Sequence, residues 1–203
     1  MITKVDFNGI GQVANHPDLA KLDIAINEAV TFDLPELFLG FWETIRQIDH
    51  ELNTKQATEI DHYDLKYNLV NGGKYINCNN NQKTHLGTKK TLAYYAYARY
   101  SVLNSFNDTP VGNVARSGDF SLPKPLKELE QFADKYRNMG YVSAQKTLDF
   151  ICHNKAVFLG AENLCKPCDC SQIDGKIKTK GYGISGAIVE KRISFNGKLK
   201  VES

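Results

Sequence analysis

LVNGGKYINCNNNQKTHLGTKKTLAYYAYARYSVLNSFNDTPVG, residues 69–112, is the stretch on which the reading of this fold turns. Leu69–Tyr75 reads as a short extended piece whose Gly72-Gly73 pair supplies a turn with unusual backbone freedom. Asn77 to Lys83 reads as a polar loop, and a helix follows Gly87 and runs to about Phe106. Thr109-Pro110-Val111-Gly112 stops that helix, because proline cannot continue it and turns the preceding residue away from α geometry. Within the helix, Tyr94, Tyr95, Tyr97 and Tyr100 are interleaved with Ala93, Ala96 and Ala98. Small residues admit a neighbouring helix closely, and tyrosines add broad contact area with a polar tip. One buried face uses only part of that supply, so the four tyrosines are candidates for a subunit interface. Gly72, Gly73 and Gly112 are candidate structural turns.

Helices are expected on both sides of this stretch. Asn15 or His16 precedes Pro17, which suits a first helical position. Leu19, Leu22, Ile26, Ala29 and Val30 then recur at spacings of three and four, the mark of one buried face. A second helix is expected to restart at Asp33, with Pro35 and Glu36 in its first turn. Its stripe is Leu34, Leu37, Phe38, Phe41, Ile45, Ile48 and Leu52, with Trp42 alongside. These two helices are expected to pack as a hairpin. Asn53 to Asp64 is polar and carries no clear period. Pro123 and Pro125 close a loop from Ser117 and lead into a long helix over Leu126–Phe158. Leu126, Leu129, Phe132, Tyr136, Met139 and Val142, then Leu148 and Ile151, form its stripe, and Gly140 either kinks it or lets a neighbour approach. The fold class expected is mainly α: an antiparallel bundle of about four helices over residues 1–160. An irregular, partly β extension over 161–203 contains the strand-like run Ala187–Phe195. That tail either packs on the bundle or another subunit, by strand addition for instance, or stays loose.

Composition, with 42% hydrophobic and 24% charged residues, is ordinary for a globular protein. The N-terminus lacks a signal peptide's basic start and apolar core, and no apolar run reaches membrane-span length. Five cysteines, an odd number, fit a reducing compartment better than a disulfide framework, so assembly in a cytoplasm without membrane contact is expected. The net charge of +2 conceals an asymmetry. Residues 1–64 carry 4 Lys/Arg against 12 Asp/Glu, a balance of −8, and residues 65–203 carry 21 against 11, a balance of +10. Opposite halves suit head-to-tail packing of identical subunits or two different partners, and a chance distribution over solvated faces is the plain alternative.

No catalytic constellation assembles, and the chain does not read as an enzyme. Cys165, Cys168 and Cys170 are the metal candidates: thiolates this close can share a zinc, with Cys152 or His153 as a fourth ligand. Reduced loop cysteines are the alternative, and no other cofactor is indicated. Gly181-Tyr182-Gly183-Ile184-Ser185-Gly186 has the letters of a dinucleotide fingerprint, but a strand-like run follows it where that motif needs a helix. His62, between Asp61 and Asp64, has no nucleophile beside it. A zinc-stabilised nucleic-acid-binding or host-side accessory module is the competing reading, since the tail is basic and Tyr182 and Phe195 could stack on bases.

Three pieces together carry a resemblance: Leu69-Val70-Asn71-Gly72-Gly73-Lys74-Tyr75; then Leu86-Gly87-Thr88-Lys89-Lys90-Thr91-Leu92-Ala93-Tyr94-Tyr95-Ala96-Tyr97-Ala98-Arg99-Tyr100; then Thr109-Pro110-Val111-Gly112. The chain resembles head–tail adaptor proteins of tailed bacteriophages, most of all the neck ring proteins of crAss-like phages. Those share a Gly-Gly-x-Tyr turn, a Leu-Ala-Tyr-Tyr-Ala-Tyr-Ala-Arg helix and a Thr-x-x-Gly break. Thr88 stands where they usually carry leucine. The likeness spans roughly residues 17–158 and leaves out the cysteine cluster and tail. It implies a helical virion subunit forming a ring of roughly twelve copies below the portal. Such a ring extends the DNA channel without reading sequence and docks the next neck or tail protein.

Overall fold

Asp18 opens the first helix: its carboxylate accepts a hydrogen bond from the Lys21 amide at 3.2 Å, and α1 spans Leu19–Glu28. The computed structural model describes residues 18–77, 80–109, 112–115 and 125–161, together with residues 2, 4–7, 10, 164 and 165. All of these lie in one unit, Met1–Cys170, and Ser171–Ser203 fall outside the described residues. The Ala187–Phe195 run and the proposed caps Asn15 and His16 fall outside the described residues.

The described residues are mainly helical. After α1 the chain passes through a π turn, Ala29–Asp33, into α2, Leu34–Phe38. Helical dihedrals persist at Glu28, Ala29, Asp33 and Leu34, so the expected restart at Asp33 is no break at all. Pro35 is tolerated because it sits in the first turn of α2, beyond the π turn. The break comes at Leu39, where φ is +48°, and a 3-10 turn over Leu39–Phe41 leads into α3, Trp42–Thr54. The expected hairpin of two helices is therefore replaced by one long helical run that packs on α5, followed by a shorter helix. The stripe itself holds: Leu34, Phe38, Phe41, Trp42, Ile45 and Ile48 are all buried.

The unplaced polar segment contains structure that the hydrophobic pattern did not disclose. A capping box between Gln56 and Glu59 closes a 3-10 turn over Ala57–Glu59, and α4 follows over Tyr63–Asn71. Gly72 ends α4, and two antiparallel strands then pair: β1, Gly73–Ile76, and β2, Gln82–His85, with Gly73 opposite His85. The expected polar loop, Asn77 to Lys83, is thus the link between these strands, and its last two residues, Gln82 and Lys83, belong to β2. α5 runs over Gly87–Leu103, three residues shorter than expected, and β3, Phe106–Thr109, then pairs antiparallel with β4, Gly112–Ala115. α6 begins at Leu126 as expected but ends at His153, and turns carry the chain through Phe158. Its 28 residues span about 42 Å.

α5 is the centre: it touches α1, the π turn, α4, α6 and the N-terminal 3-10 turn Lys4–Phe7. Two glycines start it. Gly72 (φ +88°) and Gly87 (φ +77°) bring backbone against backbone; a Cβ on Gly87 would lie 2.3 Å from the Gly72 nitrogen, and one on Gly72 2.7 Å from the Leu86 carbonyl. Lys21 closes the other end, donating from Nζ to the carbonyls of Leu103, at 3.2 Å, and of Phe106. A cation there suits the negative end of the helix dipole.

α6 passes α5 in the opposite direction, since Thr91 meets Ser143, Tyr95 meets Gly140 and Tyr97 meets Tyr136. Its buried face is Ala133, Tyr136, Gly140, Ser143, Ala144, Thr147, Phe150 and Ile151. Met139 and Val142, placed in the stripe by their spacing, are exposed instead. Small side chains took their place because α5 already fills the gap with tyrosines. Gly140 leaves α6 unbroken and serves as the point of closest approach: a Cβ there would sit 2.6 Å from the Tyr95 ring. Gly140→Ala is therefore expected to destabilise the wild-type chain. In a Tyr95→Ala background the same change should cost much less, because only the Tyr94 Cβ, 3.2 Å away, still crowds the added methyl and the helix-propensity gain of roughly 1 kcal/mol offsets it. A denaturant double-mutant cycle checks this, and equal effects in both backgrounds would contradict the packing.

Candidate assembly surface and buried polar groups

Of the four candidate interface tyrosines, Tyr97 and Tyr100 are buried inside the subunit, 7% and 4% exposed. Tyr97 packs on Phe132 and Tyr136, with centroids 6.2 and 4.7 Å away. Tyr94 and Tyr95 keep part of their surface while packing against the core. Burial pushes the Tyr95 hydroxyl up to about 12, assisted by Asp33 among its charged neighbours, so it stays a neutral donor at any ordinary pH.

Arg99, the last residue of the Ala-Tyr-Ala-Arg run, holds the N-terminal helices. Its Nε and Nη2 donate to the two carboxylate oxygens of Asp33 at 2.7 and 3.0 Å, and Nη1 donates to Glu28 at 2.9 Å. In a regular α-helix residues five apart point about 140° away from each other. The π turn between Glu28 and Asp33 brings them to the same guanidinium. Phe32 lies beside it, 5.8 Å from its ring centroid to the guanidinium carbon. A fork of this kind, partly withdrawn from water, is a strong form of ion pair.

Among the described residues, the Tyr100 hydroxyl and both ring nitrogens of His85 are buried without a hydrogen-bond partner, and His85 is the titratable imidazole of that set. It is 1% exposed, and neither ring nitrogen has a hydrogen-bond partner. Its ring stacks on Phe150 at 4.1 Å and meets the edge of Tyr75 at 5.9 Å. Burial lowers its pKa from 6.5 to about 4, so it is held neutral. Tyr75 also contacts Phe150 and His153, which makes β1–β2 and α6 one aromatic cluster.

Cys165 does not have a free thiolate. It is bonded to Cys152, with Cα atoms 5.3 Å apart, which ties the segment after α6 back to that helix. The reduced, metal-binding reading of Cys165 and of Cys152 is replaced by a disulfide, and His153 packs on Tyr75 rather than standing ready as a ligand. Cys168 and Cys170 lie outside the described residues, and among the described residues no group of three or more His, Cys, Asp or Glu could hold a metal ion. Gly73 earns its place in the turn because a Cβ would meet the Asn68 side chain at 2.7 Å; Gly112 opens β4 opposite Thr109. No described helix is long and apolar enough to cross a membrane.

Two concavities stand out among the described residues. One, of about 310 Å³, has an apolar floor of Val30, Trp42, Ile45 and Leu92 and a rim including Arg46, Asp49 and Lys89. The other, of about 330 Å³, is a groove between α5 and α6 lined by Leu86, Tyr94, Asn138, Met139, Val142 and Lys146. Sequence reading missed both, because each depends on how far apart neighbouring helices settle.

The chain belongs to the family of unknown function DUF6712, whose model matches residues 49–170. That span covers both hairpins, α4, α5 and α6, and leaves out α1 and α2. No curated protein and no solved structure matches the chain.

The buried imidazole sets a pH dependence. Its native pKa lies below its ordinary value, so between pH 6.5 and 4 the unfolded chain takes up a proton that the native state refuses. Stability is full above pH 6.5 and falls towards pH 4, by about 3 kcal/mol from this group. Glu51 acts in a separate window: hydrogen bonds from Lys55 and Lys66 lower it to about 2, so its contribution is lost only below about pH 4.5. Urea midpoints at pH 7 and pH 4.5 should differ much less in His85→Phe than in wild type. Equal shifts in the two proteins would contradict this assignment.

Proposed function

We propose that this protein is a structural subunit of the neck of a tailed bacteriophage, forming a ring of roughly twelve copies that joins the portal to the tail and extends the DNA channel. The observation that carries the reading is the run from Leu69 to Gly112, with its double-glycine turn, tyrosine–alanine helix and Thr-Pro-Val-Gly break, which resembles the head–tail adaptor proteins. On this reading the helices are an antiparallel bundle, and its role is assembly rather than chemistry.

Several features support it. Apolar side chains stand exposed on separate parts of the unit, among them Ile24, Phe32 and Leu39 on the N-terminal helical run and Met139 and Val142 on α6. The acidic and basic halves give neighbouring copies opposite charges to match. Hairpins adjoin both ends of α5, and a two-stranded sheet offers strand edges for pairing with rings above and below. The partners are then a second copy, the portal protein and the next neck or tail ring protein. Genomic DNA passes through without sequence-specific contact. The protein resides in the virion neck after assembly in the host cytoplasm, and needs no metal for this role.

Native mass spectrometry of the full chain, alone and mixed with the portal protein of the same phage, tests the proposal. The expected result is a portal assembly carrying about twelve added copies. A chain that stays monomeric beside an intact portal ring would overturn it.

A further inference from the structure

α3 packs on α2 and α4 but stands off from α5, and the gap is the cavity floored by Val30, Trp42, Ile45 and Leu92. At about 310 Å³ it is roughly twice the size of an apolar cavity that takes benzene, which leaves room for a ring and a short chain. Its lining holds polar groups without partners. Trp42 and Thr88 are 7% and 4% exposed, and among the described residues neither the Trp42 indole N–H nor the Thr88 hydroxyl makes a hydrogen bond. Buried polar groups are usually paired, so each exception asks for an explanation. Unlike the His85 nitrogens and the Tyr100 hydroxyl, these two are not sealed from water, and a ligand can reach them. Thr88 and Lys89 bring the first turn of α5 to the same cavity, and Leu86 at its N-cap makes no side-chain hydrogen bond to the amides there. Those amides and the positive end of the helix dipole favour an acceptor or an anion.

Charge on the lining fits one negative group. Arg46 and Lys89 supply two cations and Asp49 one carboxylate, so with His50 neutral the sum is +1. Lys89 is half-buried and has no ion-pair partner among the described residues. Arg46 pairs with Glu43 at 3.3 Å, but their side chains are 52% and 68% exposed, and such a pair holds weakly. Asp49 is already engaged, accepting from Asn53 Nδ2 at 3.3 Å. A second negative charge would face Asp49 with no cation to spare.

We propose that this cavity binds a small monocarboxylate with an aromatic or branched apolar body. The body lies against Trp42, Ile45 and Leu92, and the carboxylate accepts from Lys89 and from the first turn of α5. A bound molecule braces α3 against α5. The site goes beyond the neck reading and asks nothing of the ring.

Trp42 is the single tryptophan of the chain, so its indole N–H gives one resonance that reports on this cavity directly. The probes are hydrocinnamate and its neutral amide, titrated into the isotopically labelled full chain at fixed pH and salt. Hydrocinnamate should move that resonance saturably with a Kd of about 1 mM, ordinary for a probe of about eleven non-hydrogen atoms. The amide should bind about tenfold more weakly. Lys89→Gln, a change at the rim, should cut hydrocinnamate affinity about tenfold and leave the amide unchanged, with the rest of the spectrum showing that the fold is intact. Equal binding of acid and amide, or a Lys89→Gln variant that loses both or neither, would overturn the carboxylate assignment. A Trp42 resonance that neither probe moves at about 10 mM would overturn the site.

Discussion

The close approach of α5 and α6 governs the rest of the structure. Gly140 against Tyr95, the buried 2.9 Å hydrogen bond between Thr91 and Ser143, and the small residues Ala133, Ala144 and Thr147 let one helix lie deep against the other. That depth puts Tyr97 and Tyr100 inside the core and leaves the larger side chains of α6, Met139 and Val142, pointing to solvent. Interior packing near crystal density leaves no room for both arrangements. The same choice that buries the tyrosines therefore creates the outer groove.

A second constraint acts on the N-terminal helices. Arg99 reaches from the central helix to carboxylates five residues apart, and the backbone accommodates this with a π turn. One extra residue per turn redirects every side chain beyond it. Phe32, within that turn, stays exposed with its ring beside the Arg99 guanidinium. Outer surface and inner core are thus coupled through a single arginine of the tyrosine helix.

Much of the helical content was legible from periodicity. The stripe from Leu34 to Ile48 is buried as its spacing indicates, and α5 and α6 begin within a residue of their expected starts. Three things were not legible. α4 and both hairpins lie in polar sequence, where capping and backbone pairing rather than an apolar period decide the structure. Spacing also put Met139 and Val142 on the wrong side, because a stripe predicts a buried face only when the neighbour leaves room for large side chains. Finally, Cys152 and Cys165 are thirteen residues apart in sequence, and only the turn after α6 brings them together.

The account makes the tyrosine helix an internal element of the subunit and leaves association to its outer surfaces. Hydrogen exchange on the free subunit, and on the subunit mixed with the portal protein, separates these roles most directly. Amides of Gly87–Leu103 should already be among the slowest in the free subunit, with protection on assembly gained mainly outside that helix. An α5 that exchanges rapidly in the free subunit and slows only on assembly would mean that the tyrosines meet a partner, and would contradict the account.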